Sequence, residues 1–271
     1  MNALPTAFTK YHGNGNDFII FDLVQQSNRE LLERIVSRAS QLCDRHRGIG
    51  ADGILVLSEN DSHFLMTIVN ADGSFAANCG NGLRCAADYL FRHHHQNKNS
   101  ITIEVGGSSF VCARVDGMVE VAMGTCRVTA PQEIALASTS ARVTWANASI
   151  GNKHTLFIFD RCVVNYEEIL AEVTAKFSDI NDTNIGFIFV DDSGQIISRV
   201  HERGVGWTKS CGTGACVAAA ALATKNPVTV RQPGGDLSVR ATRISSSSDG
   251  GIYDIMQRGE AEVSFTGLCQ L

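Results

Sequence analysis

Two short stretches constrain this chain more than any others: "NCGNGLRCAADYL" at 78–90 and "SCGTGACVAAAAL" at 210–222, offset by 132 residues. In each, Cys-Gly-x-Gly runs straight into a segment with helical character. Other landmarks recur in the same order. "GNGNDFIIF" (13–21) returns as "GNKHTLFIF" (151–159) at offset 138. "NRELLERIVSRASQLC" (28–43) returns as "NYEEILAEVTAKF" from Asn165, at offset 137. Asn70 in "NADGS" stands nine residues before Cys79, and Glu202 in "HERGVG" stands nine before Cys211. Landmarks in one order at nearly constant offset indicate an internal duplication. The fold must therefore be one that half of this chain can build, twice.

Each half carries an amphipathic helix and several short β-rich runs. The segment 28–43 has an Asn28 cap and apolar Leu31, Leu32, Ile35, Val36, Ala39 and Leu42 at helical spacing. Its counterpart begins at Asn165, with Glu168 placed for a capping-box contact. "FIIFDL", "GILVL", "HFLMTIV", "ITIEV", "SFVCARV" and "VEVAM" read as strands of the first half. "TLFIF", "IGFIFV", "IISRV", "VTVRQ", "LSVRA" and "AEVSF" read as strands of the second. "SSSSDGG" (245–251) reads as a hairpin tip. The expected fold class is α+β: two pseudosymmetric domains facing each other, each a mostly antiparallel sheet around a central helix. The domains span 1–124 and 125–263, with the boundary near "AMGTCRV".

Composition narrows the class. Hydrophobic content of 44% over 271 residues suffices for a buried core, and the net charge of −5 carries no clustered basic patch of the kind nucleic acid requires. "CVAAAALA" (216–223) is too short to span a bilayer, and "MNALPTAFTK" lacks the charged and apolar regions of an export signal. The expectation is a cytoplasmic protein binding neither nucleic acid nor membrane. Nine cysteines, an odd number without C-x-x-C, then read as reduced thiols. Cys43, Cys112, Cys126, Cys162 and Cys269 read as small buried apolar residues, and Cys85 and Cys216 as helix packing.

Cys79 and Cys211 are different. The first turn of a helix has backbone N–H groups without intrahelical partners, and with the helix dipole these form an anion site that glycine lets a ligand approach. A thiol there has its pKa lowered from about 8.5 toward roughly 3.5–7.5. If two such turns face one ligand, a carboxylate can lie between the helix termini with a thiol on either face of the adjacent carbon. One thiolate then removes a proton and the opposite thiol delivers another, inverting the centre without a cofactor. The two titrations would be coupled.

The motifs "KYHGNGNDF", "GIGADG", "NADGS…CGNGLRCAA", "GNKH", "ERGVG" and "SCGTGACVAA" together resemble the diaminopimelate epimerase family. The resemblance covers nearly the whole chain. It implies a PLP-independent epimerase acting on LL- and meso-diaminopimelate in lysine and peptidoglycan synthesis, using no cofactor and no metal and forming a homodimer. It implies Cys79 and Cys211 as the acid/base pair, and His154 and Glu202 as residues tuning their pKa values. Asn16, Gly80, Asn81, Gly212 and Thr213 match substrate-contacting positions. Asn70, Asn152, Asn184 and Arg203 match the set gripping the distal amino-carboxylate, with Glu202 beside them, and an arginine fork suits a carboxylate. The resemblance also implies a return strand at 264–271 in the first domain. Two positions depart from the pattern: Trp207 stands where it carries Glu, and Lys153 where it carries Pro. The bulky indole four residues before Cys211 is expected to reshape the pocket wall or a subunit contact, which leaves open a related racemase acting on another amino acid such as histidine.

Other readings carry less. "GIGADG" matches G-x-G-x-x-G, but a dinucleotide site needs a strand before it and a helix after, the reverse of the order here. His93, His94 and His95 read as a helix C-terminus favoured by the dipole rather than as metal ligands. His12 reads as a local hydrogen-bonding residue, and Trp145 has no partner nameable from sequence. A redox pair of apposed thiols, or an amino-acid binder without catalysis, are the alternatives from other functional classes.

Overall fold

The computed structural model describes residues 5–25, 28–60, 63–222 and 227–271. The chain divides into two compact units, Met1–Ala122 with Gly259–Leu271, and Met123–Arg258. The duplication is visible as one strand-pairing scheme executed twice.

In the first unit, Thr6–Gly13 runs antiparallel to Asn16–Asp22, which lies parallel to Gly53–Glu59. Gly53–Glu59 is antiparallel to Phe64–Asn70, which pairs antiparallel with Phe75–Ala76 and parallel with Ser100–Val105. Ser108–Val115 and then Met118–Thr129 follow in antiparallel hairpins. The second unit repeats each pairing and each sense through Val143–Ile150, Asn152–Phe159, Asn184–Val190, Ile196–Glu202, Gly206–Thr208, Val228–Gln232, Gly235–Ser247 and Gly250–Gly259. The segment after each repeat's last hairpin is exchanged. Glu262–Cys269 pairs with Thr6–Gly13 in the first unit, while Arg127 and Val128 pair with Ser149 and Ala148 in the second.

Each sheet has a helix on either face. On one face lies the amphipathic helix. In the first unit the 28–43 segment is two helices, Arg29–Ser37 and Ala39–Cys43, broken at Arg38, whose φ of −107° leaves the helical range. Asn28 caps the first, its side chain accepting from Leu31 N at 3.0 Å. Ile35, Ala39 and Leu42 pack there on Ile19, Phe21, Ile54 and Val56. In the second unit, helix Tyr166–Lys176 places Ile169 and Val173 against Phe157, Ile185 and Phe187. No capping box forms at its start: Asn165 Nδ2 donates to Glu168 Oε2 at 3.1 Å, and the Asn165 side chain caps no N–H.

On the other face lie the helices that follow the cysteines, Gly80–His93 and Gly212–Leu222. Residues 80–87 and 212–220 are all buried, so both helices are enclosed through their first turns; the second is alanine-rich, while the first also buries polar Asn81 and Arg84. The strand Gly235–Ser247 turns into Gly250–Gly259 at Ser248–Asp249, which places the expected hairpin tip. No helix among the described residues is long and apolar enough to cross a membrane.

Several sequence expectations need correction. Thr6–Gly13, Val143–Ile150 and Gly250–Gly259 are strands that the apolar pattern does not announce. Cys162 is exposed rather than buried, because it follows the end of the strand Asn152–Phe159, and Cys269 is half-buried. Trp145, whose partner the sequence could not name, meets Phe177 edge-on at 4.9 Å.

Candidate active site

Each unit sets a cysteine at the N-terminus of its enclosed helix. In the first, Cys79 is the N-cap residue and its sulfur accepts from Gly82 N at 3.3 Å. In the second, Cys211 Sγ accepts from Gly214 N at 3.4 Å. Both thiols thus occupy the position that a serine or aspartate oxygen fills in an ordinary cap. The second glycine of each motif makes this approach possible. A Cβ on Gly82 would meet Leu55 Cδ2 at 3.3 Å, and one on Gly214 would meet Val200 Cγ2 at 2.8 Å and Cys211 Sγ at 3.2 Å. Glycine therefore lets the first turn seat on the sheet with its amide beside the sulfur.

Around Cys79 the structure gathers Asn16 and Asn81. Asn16 Oδ1 lies 3.8 Å from Cys79 Sγ and accepts from Asn81 Nδ2 at 3.2 Å. Neither amide is free to flip. Asp52 Oδ2, an acceptor only, takes the Asn16 Nδ2 hydrogen at 2.8 Å, and Arg84 Nη2, a donor only, gives to Asn81 Oδ1 at 2.8 Å. Asp52 in turn pairs with Arg45 at 2.6 Å. Arg45 also bonds Asp17, which pairs with buried Lys10. Burial raises the Asp17 carboxyl, but hydrogen bonds from Arg45 and Lys10 more than offset this and hold it well below the usual carboxylate range. Asn70 stands on the neighbouring strand, its amide donating to Ser74 Oγ at 3.0 Å.

Around Cys211 the structure gathers Thr213, Asn152 and His154. Thr213 Oγ1 is 3.6 Å from Cys211 Sγ, 3.2 Å from Asn152 Nδ2 and 3.1 Å from His154 Nε2. His154 Nε2 also lies 3.1 Å from Asn152 Oδ1, and its Nδ1 is buried without a partner. Proton placement on Nε2 satisfies the amide oxygen and leaves only a lone pair unmatched. Burial pushes the imidazole pKa down to about 4, so the ring is neutral near pH 7. Asn184 pairs with His154 across adjacent strands and accepts the Arg203 N–H at 3.0 Å, while the Arg203 side chain is exposed. The Glu202 carboxylate accepts from Thr208 Oγ1 at 2.6 Å.

Trp207 is not part of this group. The strand Gly206–Thr208 turns it to the amphipathic-helix face, where it meets Tyr166 at 6.0 Å, Phe187 at 5.7 Å and His201 at 5.3 Å. Its Nε1 donates to Glu167 at 2.8 Å. The expectation of a reshaped pocket wall is therefore corrected, since strand alternation sends residue 207 to the opposite face from Val200 and Gly214. A cavity of about 1060 Å³ in the second unit is walled by Arg127, Trp145, Lys153 and Thr183, and Cys211 does not line it.

The histidines after the first enclosed helix have partners of their own. His93 stacks on Tyr89 at 4.3 Å, His94 Nε2 is 2.7 Å from Asp22, and His95 meets Phe64 at 5.1 Å. Among the described residues no three metal-binding side chains cluster. "GIGADG" lies between helix Ala39–Cys43 and strand Gly53–Glu59. His12 Nε2 is 3.5 Å from Glu262. Sequence reasoning missed Asp52, Arg84 and Gln232, which set the geometry around the thiols. For Arg84 and Gln232 the available signal was a polar residue in an otherwise buried series; Asp52, exposed between elements, offered none.

The sequence profile of the diaminopimelate epimerase family matches residues 8–129 and 146–262. Diaminopimelate epimerases from Trichodesmium erythraeum and a Synechocystis species are 36% and 37% identical, over 98% and 99% of this chain and 99% and 100% of theirs. The solved structure of a phenazine biosynthesis protein of the PhzF family from Bacillus anthracis superposes with a TM-score of 0.66 at 16% identity, covering 99% of this chain and 100% of that one. That likeness shows the fold. Similarity at this level along nearly its whole length means that the chain belongs to the diaminopimelate epimerase family.

Proposed function

We propose that this protein is an isomerase that interconverts LL- and meso-diaminopimelate, with Cys79 and Cys211 as the two acid/base groups. The observation that carries the reading is the matched pair of thiols, each capping the helix that follows it and each accepting a glycine N–H. The close relatives bear the name of this activity.

The reaction replaces one C–H bond by another. A thiolate takes the α-proton, the electron pair stays on the carbon and its carboxylate, and the other thiol returns a proton to the opposite face. The resulting thiolate and thiol have exchanged roles, so charge and atoms balance. Helix N-terminal amides at Gly80, Asn81, Gly212 and Thr213 stabilise the charge that builds on the carboxylate. Asn16 places its amide oxygen beside one thiol. His154 acts on the other through the Thr213 hydroxyl, and Glu202 serves as the second tuning group. Asn70, Asn152, Asn184 and Arg203 hold the distal amino-carboxylate. The Asn184 oxygen is already taken by the Arg203 N–H, which turns its NH₂ to substrate as a donor.

We place the protein in the cytoplasm as a homodimer. Val263, Phe265 and Leu268 are exposed on the strand Glu262–Cys269, which suits a contact between copies.

Proton NMR in D₂O under reducing conditions with LL-diaminopimelate tests the reading. Loss of the α-proton signal with appearance of the meso isomer is expected. Cys79→Ala and Cys211→Ala should each abolish epimerisation while remaining folded. A single variant with wild-type turnover would rule out the two-thiol scheme.

A further inference from the structure

The strand Val228–Gln232 turns Val228, Val230 and Gln232 inward. Its counterpart in the first repeat, Ser100–Val105, turns Ile101, Ile103 and Val105 inward. The two strands match residue for residue. Ile103 pairs in parallel with Phe64 as Val230 pairs with Ile196, and each strand ends at a two-residue turn, closed by Val105 with Ser108 and by Gln232 with Gly235. Packing at this place is thus met by valine in one repeat, yet the other buries an amide that is 5% exposed. A buried amide costs free energy unless every donor and acceptor is matched.

All four hydrogen-bonding positions of the Gln232 amide are matched. Oε1 accepts from Cys211 N at 2.9 Å and Ser210 Oγ at 3.1 Å. Nε2 donates to Cys211 O at 3.1 Å and Ser198 Oγ at 3.5 Å. The side chain therefore brackets both backbone groups of Cys211. Because Cys211 N can only donate and Cys211 O only accept, the amide has one orientation. Beside it, Gln257 Nε2 donates to Gly212 O at 2.7 Å.

We propose that Gln232 is a positioning residue for Cys211, fixing the backbone from which the thiol projects. A thiol that must meet a substrate carbon at one angle depends on such support, and small displacements are costly to the rate. The inference rests on Cys211 acting in the epimerisation proposed above.

Gln232→Met keeps length and volume and removes the bracket. It is expected to lower kcat by about tenfold or more with KM little changed. It is also expected to alter the iodoacetamide labelling rate of Cys211, read by peptide mass, while Cys79 in the same molecule labels as in wild type. Gln232→Glu keeps the acceptor but, ionised, cannot donate to Cys211 O; it should show the same selectivity with a smaller loss. Wild-type kcat and Cys211 labelling in a folded Met variant would overturn the proposal, and so would equal changes at both cysteines. Should the Met protein not fold, wild-type behaviour of the Glu variant overturns it. The labelling needs no substrate, so its outcome is separate from the identity of the reaction.

Discussion

His154 Nε2 lies 3.1 Å from Thr213 Oγ1, and that hydroxyl lies 3.6 Å from Cys211 Sγ. The residue matching His154 in the first repeat is Asn16, whose amide oxygen is 3.8 Å from Cys79 Sγ. One plan thus gives its two thiols unlike neighbours: an oriented amide oxygen at one, a hydroxyl tied to a neutral imidazole at the other. Two-base chemistry requires the pair to hold different protonation states, and identical surroundings would give no preference between them.

Thr213→Val should therefore lower kcat by about tenfold or more, because it cuts the path from His154 to the thiol. Thr213→Ser, which keeps the hydroxyl, should retain most of the activity. Steady-state rates from LL-diaminopimelate decide this; equal rates for Val and Ser would remove the hydroxyl from the mechanism.

The buried imidazole also makes stability depend on pH. Its pKa is about 4 in the folded protein against 6.5 for the ordinary group. Between these values the unfolded chain binds the extra proton, so stability falls as pH drops through the window from 6.5 to 4. The full loss is about 3 kcal/mol. Urea unfolding across this range should show a steeper decline for wild type than for His154→Gln. Parallel curves would mean that the imidazole is not held neutral.

Trp207 should matter to the second unit's stability and not to its chemistry. Trp207→Ala removes a half-buried indole from among Tyr166, Phe187 and His201, at a cost of about 2 kcal/mol. Trp207→Glu, the residue of the family pattern, sets a second carboxylate against Glu167 and should cost more. Urea midpoints should fall while kcat per folded molecule holds; a selective loss of kcat would return Trp207 to the site.

The duplication and the cysteine-led helices were legible because glycine, cysteine and helical spacing are local signals. Thr6–Gly13 was not, since its Lys10 is buried against Asp17 and Gly50 O, partners that no periodicity reveals. The break at Arg38 inside a regular apolar pattern is likewise tertiary, set by how two short helices seat on Ile19 and Ile54. The asparagines proposed to contact substrate could be picked out by family likeness, but the side chains that orient the site could not. Asp52 lies 36 residues from Asn16, and Gln232 lies 21 from Cys211. Side-chain pairs over such separations leave no pattern in one sequence.

Arg84 has no exposed surface and donates through Nη2 to Asn14 Oδ1 and Asn81 Oδ1, both at 2.8 Å. Arg84→Met leaves those oxygens facing an apolar chain and should cost about 3 kcal/mol. Arg84→Lys should not restore the loss, because a point charge cannot reproduce the planar fork. Urea unfolding of both variants tests this, and a lysine variant as stable as wild type would show that charge alone suffices.

Cysteine reactivity should separate Cys79 from the buried thiols of the first unit. Burial raises Cys43 to about 11 and Cys112 to about 12, and it raises Cys85 further. At pH 7.5 fewer than about one in a thousand of these groups is thiolate, so brief iodoacetamide treatment should leave them untouched. Cys79 is only half-buried and caps a helix N-terminus, where thiolate is favoured. In a Cys162→Ser background, which removes the exposed thiol, activity should fall as the fraction of molecules with both Cys79 and Cys211 unalkylated falls, and diaminopimelate should slow the loss and the labelling together. Activity lost while the Cys79 and Cys211 peptides both stay unmodified would assign the essential thiols elsewhere.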